Sequence, residues 1–374
     1  MLVAPDWVLI PKNRVKIADI IVNMLDFIRL SPGNKVGKID ISFPYNVFNK
    51  YASLRRDPRY TRDDDRQIAS LDGDIMHLPV FSDDEIKVKL SLSDAIASQR
   101  EAFLAIHRKE VQIPQRTIVK THQGAVLFKP FVSEQDFGLK VVAAYSSGTP
   151  GVILLLDTQT GLPRALFCAT YLTALRTAAG SAVAADILGG KEASTATIFG
   201  AGLQAELHIL CLRVVRPSIK RFFVINRRYE RAQILAGKLS NVWAKERTDA
   251  KACVEQSDII VTATPSQEPL FDGSWIKPGT FIAAIGSYTR QMRELDSYTV
   301  QHAKIIADTP DEAYETSGDL WGVIERDAIL MSLGELLDDS ERKLELFKPE
   351  DVRLFKSIGN AVQDLYIARA VMLA

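Results

Sequence analysis

Cysteine is scarce. Only three occur in 374 residues, Cys168, Cys211 and Cys253, an odd number at wide spacing. That excludes a disulfide framework and a C-x-x-C metal or redox pair, and it points to a reducing, cytoplasmic compartment. An excess of charge is missing too, because 46 Lys and Arg balance 46 Asp and Glu. Nothing therefore draws the chain as a whole to nucleic acid or to an anionic membrane. With 21 Gly and 16 Pro, collagen-like repetition and low-complexity disorder are ruled out. The apolar stretch near the start, residues 17–28, holds Asp19, Asn23 and Asp26, so it suits neither a secretory core nor a membrane span. Its apolar positions follow one helical face instead. What the chain does have is 47% apolar residues, enough for a large core, and a length that suggests about two domains.

The stretch SLRRDPRYTRDDDRQ at residues 53–67 has almost nothing to bury and marks a boundary. Ser82 to Glu85 reads as a capping box, but Ile86, Val88 and Leu90 then alternate with lysines, which predicts a single turn followed by a strand. Ser93-Asp94 predicts the start of a longer helix. Strand-like runs at 125–128, 139–145, 152–156 and 165–169 suggest a curved, partly antiparallel sheet, and the Ala- and Leu-rich residues 173–188 a helix stopped by Gly189-Gly190. From residue 194 to 307 short β-branched runs alternate with helical stretches, the pattern of a parallel sheet flanked by helices. Residues 352–355 read as a short strand and Asn360 as the cap of a last helix.

The sharpest local motif is Gly200-Ala201-Gly202-Leu203-Gln204-Ala205, placed between an apolar strand and an amphipathic helix. This is G-x-G-x-x-A in the context that binds a dinucleotide. The first glycine makes the turn, the second admits a pyrophosphate, and the alanine lets helix and strand pack closely. At the end of the next strand, where an Asp or Glu would hold the ribose hydroxyls of NAD, stand Asn226, Arg227 and Arg228. Two guanidiniums suit a 2′-phosphate, so NADP(H) is favoured and NAD(H) possible; the alternative is the solvated start of a helix.

Three further cations lie among apolar neighbours: Arg116, Lys140 and Arg176. A charge in such a setting needs a compensating anion. A substrate carboxylate is one candidate and a structural ion pair the other. The five histidines are scattered without H-x-x-x-H spacing, and no catalytic metal is expected.

Together these segments resemble the ornithine cyclodeaminase/mu-crystallin family. The resemblance is carried in order by Gly138-Leu139-Lys140-Val141-Val142, the turn at 157–163, the stretch YLTALRTAAGS at 171–181, the glycine turn, Thr262-Ala263-Thr264, Arg293-Glu294-Leu295-Asp296, Ser317-Gly318-Asp319 and GNAVQD at 359–364. It runs from about residue 78 to the end. It implies an α/β chain with a Rossmann-type doubly wound parallel sheet over residues 191–324. A second, α+β, substrate-binding and dimerisation domain would comprise residues 78–190 and 325–374. Residues 1–77 are an N-terminal extension with no functional reading.

The resemblance further implies that Arg116, Lys140 and Arg176 hold the substrate carboxylate and that Lys140 also serves proton transfer. It places Thr177, Thr262, Ala263, Thr264 and Ser287 by the cofactor, and it implies a homodimer. Three departures matter. Ser287 stands where ornithine cyclodeaminases carry an acidic residue, Leu127 where a second carboxylate is expected, and Lys129 where the family usually has Met. The Gly286-Ser287 and Asn226-Arg227 forms resemble the ketimine reductase branch. An NAD(P)H-dependent reductase acting on a small carboxylate-bearing imine or amino acid is the expectation. The alternatives are a deaminating lyase with bound NAD and a non-catalytic, crystallin-like binding protein.

Overall fold

The computed structural model describes residues 78–122, 124–145 and 149–374. The helical face expected at 17–28 and the charged boundary at 53–67 lie outside the described residues. Capping chemistry shapes the first described helices. Ser82 and Glu85 form a reciprocal capping box at the start of α1 (Asp83–Lys89), with three acids in its first turn and Lys87 and Lys89 in its last, charges that complement the helix dipole. The strand expected through Ile86, Val88 and Leu90 therefore does not form. Ile86 and Leu90 point inward from a helical stretch and its cap, and Val88 is 87% exposed. Helix α2 (Leu92–His107) starts earlier than expected because Ser91 caps it by accepting from the Asp94 amide.

A seven-stranded sheet follows, built from β1 (Val80–Phe81), β2 (Val111–Gln112), β3 (Thr117–Thr121), β4 (Gly124–Ser133), β5 (Asp136–Tyr145), β6 (Gly151–Asp157) and β7 (Pro163–Cys168). Its order is β1-β7-β6-β5-β4-β2, with β3 also paired to β4. Every pair is antiparallel except β1 with β7. Lys129 of β4 stands opposite Lys140 of β5, so the two lysines share one face.

Helix α3 (Ala169–Leu188) is buried around most of its circumference. Its first half packs into the core beneath the antiparallel sheet, and its last turns join the core of the next sheet. That position carries Arg176 and Thr177 into the interior. Gly189 ends the helix in an extended conformation, φ −77°. Its role is close approach, since a Cβ there would lie 2.6 Å from the Ala185 carbonyl oxygen.

The second sheet is parallel throughout. Its strands are β8 (Thr195–Phe199), β9 (Arg221–Ile225), β10 (Val242–Lys245), β11 (Ile259–Thr262), β12 (Phe281–Ala284), β13 (Lys304–Ala307), β14 (Ile329–Ser332) and β15 (Arg353–Lys356), in the order β10-β9-β8-β11-β12-β15-β13-β14. Alternate residues enter two cores, Ile198 and Val224 on one face, Phe199 and Ile225 on the other. Both faces are thus covered, as a doubly wound sheet requires. Its helices include α4 (Leu203–Val215) and α5 (Tyr229–Lys238). The strand order reverses between β8 and β11, which opens a crevice at their carboxyl ends.

The C-terminal segment divides differently from the expected assignment of residues 325–374 to the substrate-binding domain. Strands β14 and β15 belong to the parallel sheet, with β15 between β12 and β13. Leu354 and Phe355 explain why, because they fill opposite faces of that sheet. The short helix Leu333–Asp338 packs on α2, and the last helix, α6 (Ala361–Leu373), returns to pack on both α2 and α3.

Candidate functional site

The glycine turn sits at the crevice between β8 and β11. Gly200 has φ +119°, and a Cβ there would lie 2.6 Å from the Ala263 carbonyl oxygen, so only glycine fits. Gly202 is the N-cap of α4, with no side chain capping the helix and open space where its Cβ would be. Free amide donors at the start of a 13-residue helix, facing that space, suit a pyrophosphate. Ala205 is buried in the core between helix and sheet. Leu203 and Ala201 pack at the edges of the cores, and the Gln204 side-chain oxygen is buried without a partner among the described residues.

Beyond the turn lies a cleft of about 550 Å³ whose lining includes Asn226, Arg227, Arg228, Arg231, Arg247 and Thr264. The Asn226 side-chain amide donates to the Arg228 carbonyl at 2.9 Å and so shapes the turn after β9. Arg231, on α5, and Arg247, after β10, were not singled out by sequence, because nothing in their spacing connects them to the glycine motif.

Glu294 organises the far wall. It is fully buried. Its carboxylate accepts from the Thr264 amide and hydroxyl, both at 2.7 Å, and from the Thr262 hydroxyl and Gly286 amide, both at 2.8 Å. Burial and the nearby Asp319 push its carboxyl above the ordinary glutamate value. Asp319 accepts from the Glu294 and Leu295 amides and pairs with buried Lys356 at 2.8 Å. Thr262 is thus wholly interior, its hydroxyl held by Glu294. Ser287 is also buried, donating to the Met292 carbonyl at 2.6 Å and lying 3.0 Å from the Ser317 hydroxyl.

The cations come together at the same edge of the parallel sheet. Lys140 and Arg176 are 2% and 6% exposed, and both donate to Oδ1 of Asp364, at 2.9 and 3.2 Å. Lys140 also donates to the Thr173 hydroxyl at 2.7 Å, and Arg176 to the Gln363 side chain at 3.1 Å. Thr177, one residue on, returns its hydroxyl to the Thr173 carbonyl. Arg116 is half-buried and pairs with Glu312 at 3.5 Å. The Arg176 guanidinium lies against Gly359, whose φ is +71°. Gly359 follows β15, three strand spacings from β8, or about 14 Å along the sheet edge.

Burial, with help from Arg176 and Lys129, lowers the Lys140 ammonium to about 7 against the pull of Asp364. Burial alone would raise the Asp364 carboxyl, but Lys140 and Arg176 hold it below the ordinary aspartate value. Asp364 and Gly359 belong to the GNAVQD stretch, which the sequence reading took as a helix cap and as part of the family resemblance without assigning either residue to the site. His208, in contrast, is a satisfied core histidine between the Gln204 carbonyl and the Ser181 hydroxyl. Among the described residues no three His, Cys, Asp or Glu side chains converge on a metal position, and no helix is long and apolar enough to cross a membrane.

A doubly wound sheet with a glycine turn at its switch point, and a cationic cluster farther along the same edge, defines a nicotinamide-dinucleotide-binding α/β protein. The chain belongs to the ornithine cyclodeaminase/mu-crystallin family, whose model matches residues 78–372. It is 30% identical over 310 residues to a Delta(1)-pyrroline-2-carboxylate reductase of Bacillus cereus, covering 78% of this chain and 94% of the relative. The Delta(1)-pyrroline-2-carboxylate reductase of Thermococcus litoralis, solved with NADH and L-proline, superposes with a TM-score of 0.73 at 30% identity, over 79% of this chain and 96% of that one. An archaeal alanine dehydrogenase dimer with bound NAD superposes with a TM-score of 0.72 at 26% identity, over 79% and 94% of the two chains.

Proposed function

We propose that this protein is an NADPH-preferring oxidoreductase that reduces the C=N bond of a small imino carboxylate to an amino acid. The observation that carries the reading is the cluster of Arg116, Lys140 and Arg176 at the edge of the sheet that also bears the glycine turn. Arg116, Lys140 and Arg176, with Lys129 beside them, outnumber the two nearby carboxylates, Asp364 and Glu312. A buried or half-buried cluster with surplus positive charge is costly unless an anion enters it. A substrate carboxylate supplies that anion.

The residues fit the cofactor. The Gly200 to Ala205 turn and the start of α4 would hold the pyrophosphate. Thr177, Ala263 and Thr264 would flank the nicotinamide end, with Thr262 and Ser287 bracing the wall behind. Asn226, Arg227 and Arg228, joined by Arg231 and Arg247, would take the 2′-phosphate, and these guanidiniums favour NADP(H) over NAD(H). A reduced nicotinamide, when bound, supplies the hydride for the imine carbon. Arg116, Arg176 and Lys140 fix the carboxylate, and so the orientation of the C=N bond. Lys140, titrating near neutrality, holds the proton that the imine nitrogen needs, and a protonated imine is the more electrophilic form. Thr173 and Asp364 hold Lys140 in place.

The deaminating alternative lacks its carboxylate, because Ser287 is turned into hydrogen bonds with Met292 and Ser317. We place the protein as a cytoplasmic homodimer, with the exposed Ile118 and Val119 of β3 offering apolar surface for pairing. The deciding experiment supplies Δ1-pyrroline-2-carboxylate with NADPH and, separately, L-ornithine. Stoichiometric loss of NADPH absorbance with the imine is expected. Ammonia release from ornithine without net cofactor turnover would overturn the reading.

A further inference from the structure

Lys129 is a cation without an assigned anion. It stands directly opposite Lys140 in the β4–β5 ladder and is half-buried. On one face of an antiparallel pair such residues have Cβ atoms about 5 Å apart, and like charges placed so repel. The neighbouring carboxylates are paired with other cations, although Oδ2 of Asp364 is buried without a partner among the described residues. Oδ1 of Asp364 receives both Lys140 and Arg176, and Glu312 receives Arg116; none of these ion pairs includes Lys129. Burial and then the Arg176 and Arg116 charges lower its ammonium below the usual lysine range, against the pull of Asp364 and Glu312. Its surroundings thus penalise its charge, and an anion beside it would relieve that penalty.

One substrate carboxylate, gripped by Lys140, Arg176 and Arg116, answers only part of the surplus. We propose that Lys129 binds a second carboxylate, so that the preferred substrate is the imine of a four- or five-carbon 2-oxo dicarboxylic acid. The short distance between the two lysine stems matches carboxylates separated by two or three carbons. This rests on the imine-reductase reading and deepens it. In the reaction the imine carbon takes the hydride and its nitrogen a proton, the C=N π bond becomes an amine, and the nicotinamide is oxidised.

The test compares oxaloacetate with 2-oxobutyrate, each with ammonium and NADPH, since they differ in a carboxylate against a methyl at the far end. The expected result is at least a tenfold higher kcat/KM with oxaloacetate. Lys129→Met should lower that ratio at least tenfold, mainly through the oxaloacetate KM, while Lys129→Arg keeps the preference. Calorimetry of L-aspartate and L-2-aminobutyrate against the NADP⁺ complex gives a readout free of turnover, with the same ordering and the same loss in Lys129→Met. Equal or reversed preference in the native protein, or an unchanged ratio in Lys129→Met, overturns the proposal. Reduction with 2-oxobutyrate but no preference for oxaloacetate sinks the proposal alone, whereas NADPH left unconsumed by every imine, cyclic ones included, sinks the reductase reading with it.

Discussion

The ammonium of Lys140 and the carboxylate of Asp364 meet at 2.9 Å in a place closed to water, joining positions 224 residues apart. The same carboxylate oxygen also receives Arg176. One carboxylate thus holds two cations that would otherwise repel each other. The two reach it from β5 and α3, and the acid comes from the chain's last helix. The contact ties the C-terminal segment to the site and leaves the cluster positive, which is the condition for drawing in an anionic substrate.

Asp364→Asn removes that charge and leaves Lys140 and Arg176 buried side by side. Breaking a buried pair from one side costs about 3–5 kcal/mol. The expected outcome in urea denaturation is a lower midpoint with an unchanged slope. Lys140→Met in the Asp364→Asn background should recover part of the loss, because it also removes one of the stranded cations.

The Lys140 ammonium, lowered to about 7 chiefly by burial, makes two pH predictions of definite sign. Between about 7 and the ordinary lysine value, the unfolded chain binds a proton that the folded chain does not. This group therefore makes stability rise with pH across that window, and its penalty is complete below it. In catalysis the protonated form is the useful one, so kcat/KM for an imine should fall as pH rises through about 7. Lys140→Arg, whose guanidinium does not titrate in this range, should lose that inflection.

How much of this was legible depends on how local the cause is. The glycine turn, the Asn360 cap and strands β8, β9, β11, β12 and β13 are set by neighbours a few residues apart, and spacing reveals them, whereas the four-residue β10 was not read. The helix α1 was misread because Ile86, Val88 and Leu90 alternate like a strand, while the capping box and terminal charges that decide the matter act together over the same seven residues. The place of β15 between β12 and β13 could not be seen, since a four-residue strand carries no mark of its partners. Arg116, Lys140 and Arg176 were visible as cations among apolar residues, but their anions were not. Asp364 and Glu312 look like ordinary helix carboxylates until the fold brings them across. Of the two readings left open for Lys140 and Arg176, Asp364 supplies the structural ion pair. The cluster still carries more positive than negative charge.

On the proposed reading, the cleft arginines would set a preference for NADPH. Arg227 and Arg228 each stand to make charge-assisted hydrogen bonds with a 2′-phosphate, and such bonds contribute about 1.5–3 kcal/mol. Replacing both with alanine should raise the Kd for NADPH about a hundredfold or more and leave that for NADH within a few-fold. Fluorescence titration of the two reduced cofactors measures both. An equal loss for both would show that the arginines act on the turn rather than on the phosphate.

Glu294 accepts four hydrogen bonds with its two oxygens, and an amide cannot replace it without turning a donor toward a donor. Glu294→Gln should loosen the Thr264 and Gly286 backbone that walls the cofactor crevice. The expected result is a rise of about tenfold in the cofactor KM, with the imine KM changed less. Thermal melts with and without NADPH should show a smaller cofactor-induced stabilisation in the variant.

Gly359 links the parallel sheet to the cationic cluster, because it follows β15 and touches the guanidinium of Arg176. Its φ of +71° disfavours any side chain by about 1–2 kcal/mol, and a Cβ would also overlap the guanidinium. Gly359→Ala therefore has two separable effects. The backbone term lowers stability modestly, as a melt would record. Displacement of Arg176 should lower kcat/KM for the imine by a larger factor, about a hundredfold, because a small misplacement of a clamping group costs that much in rate. Activity that declined only in step with stability would mean that Arg176 does not hold the substrate.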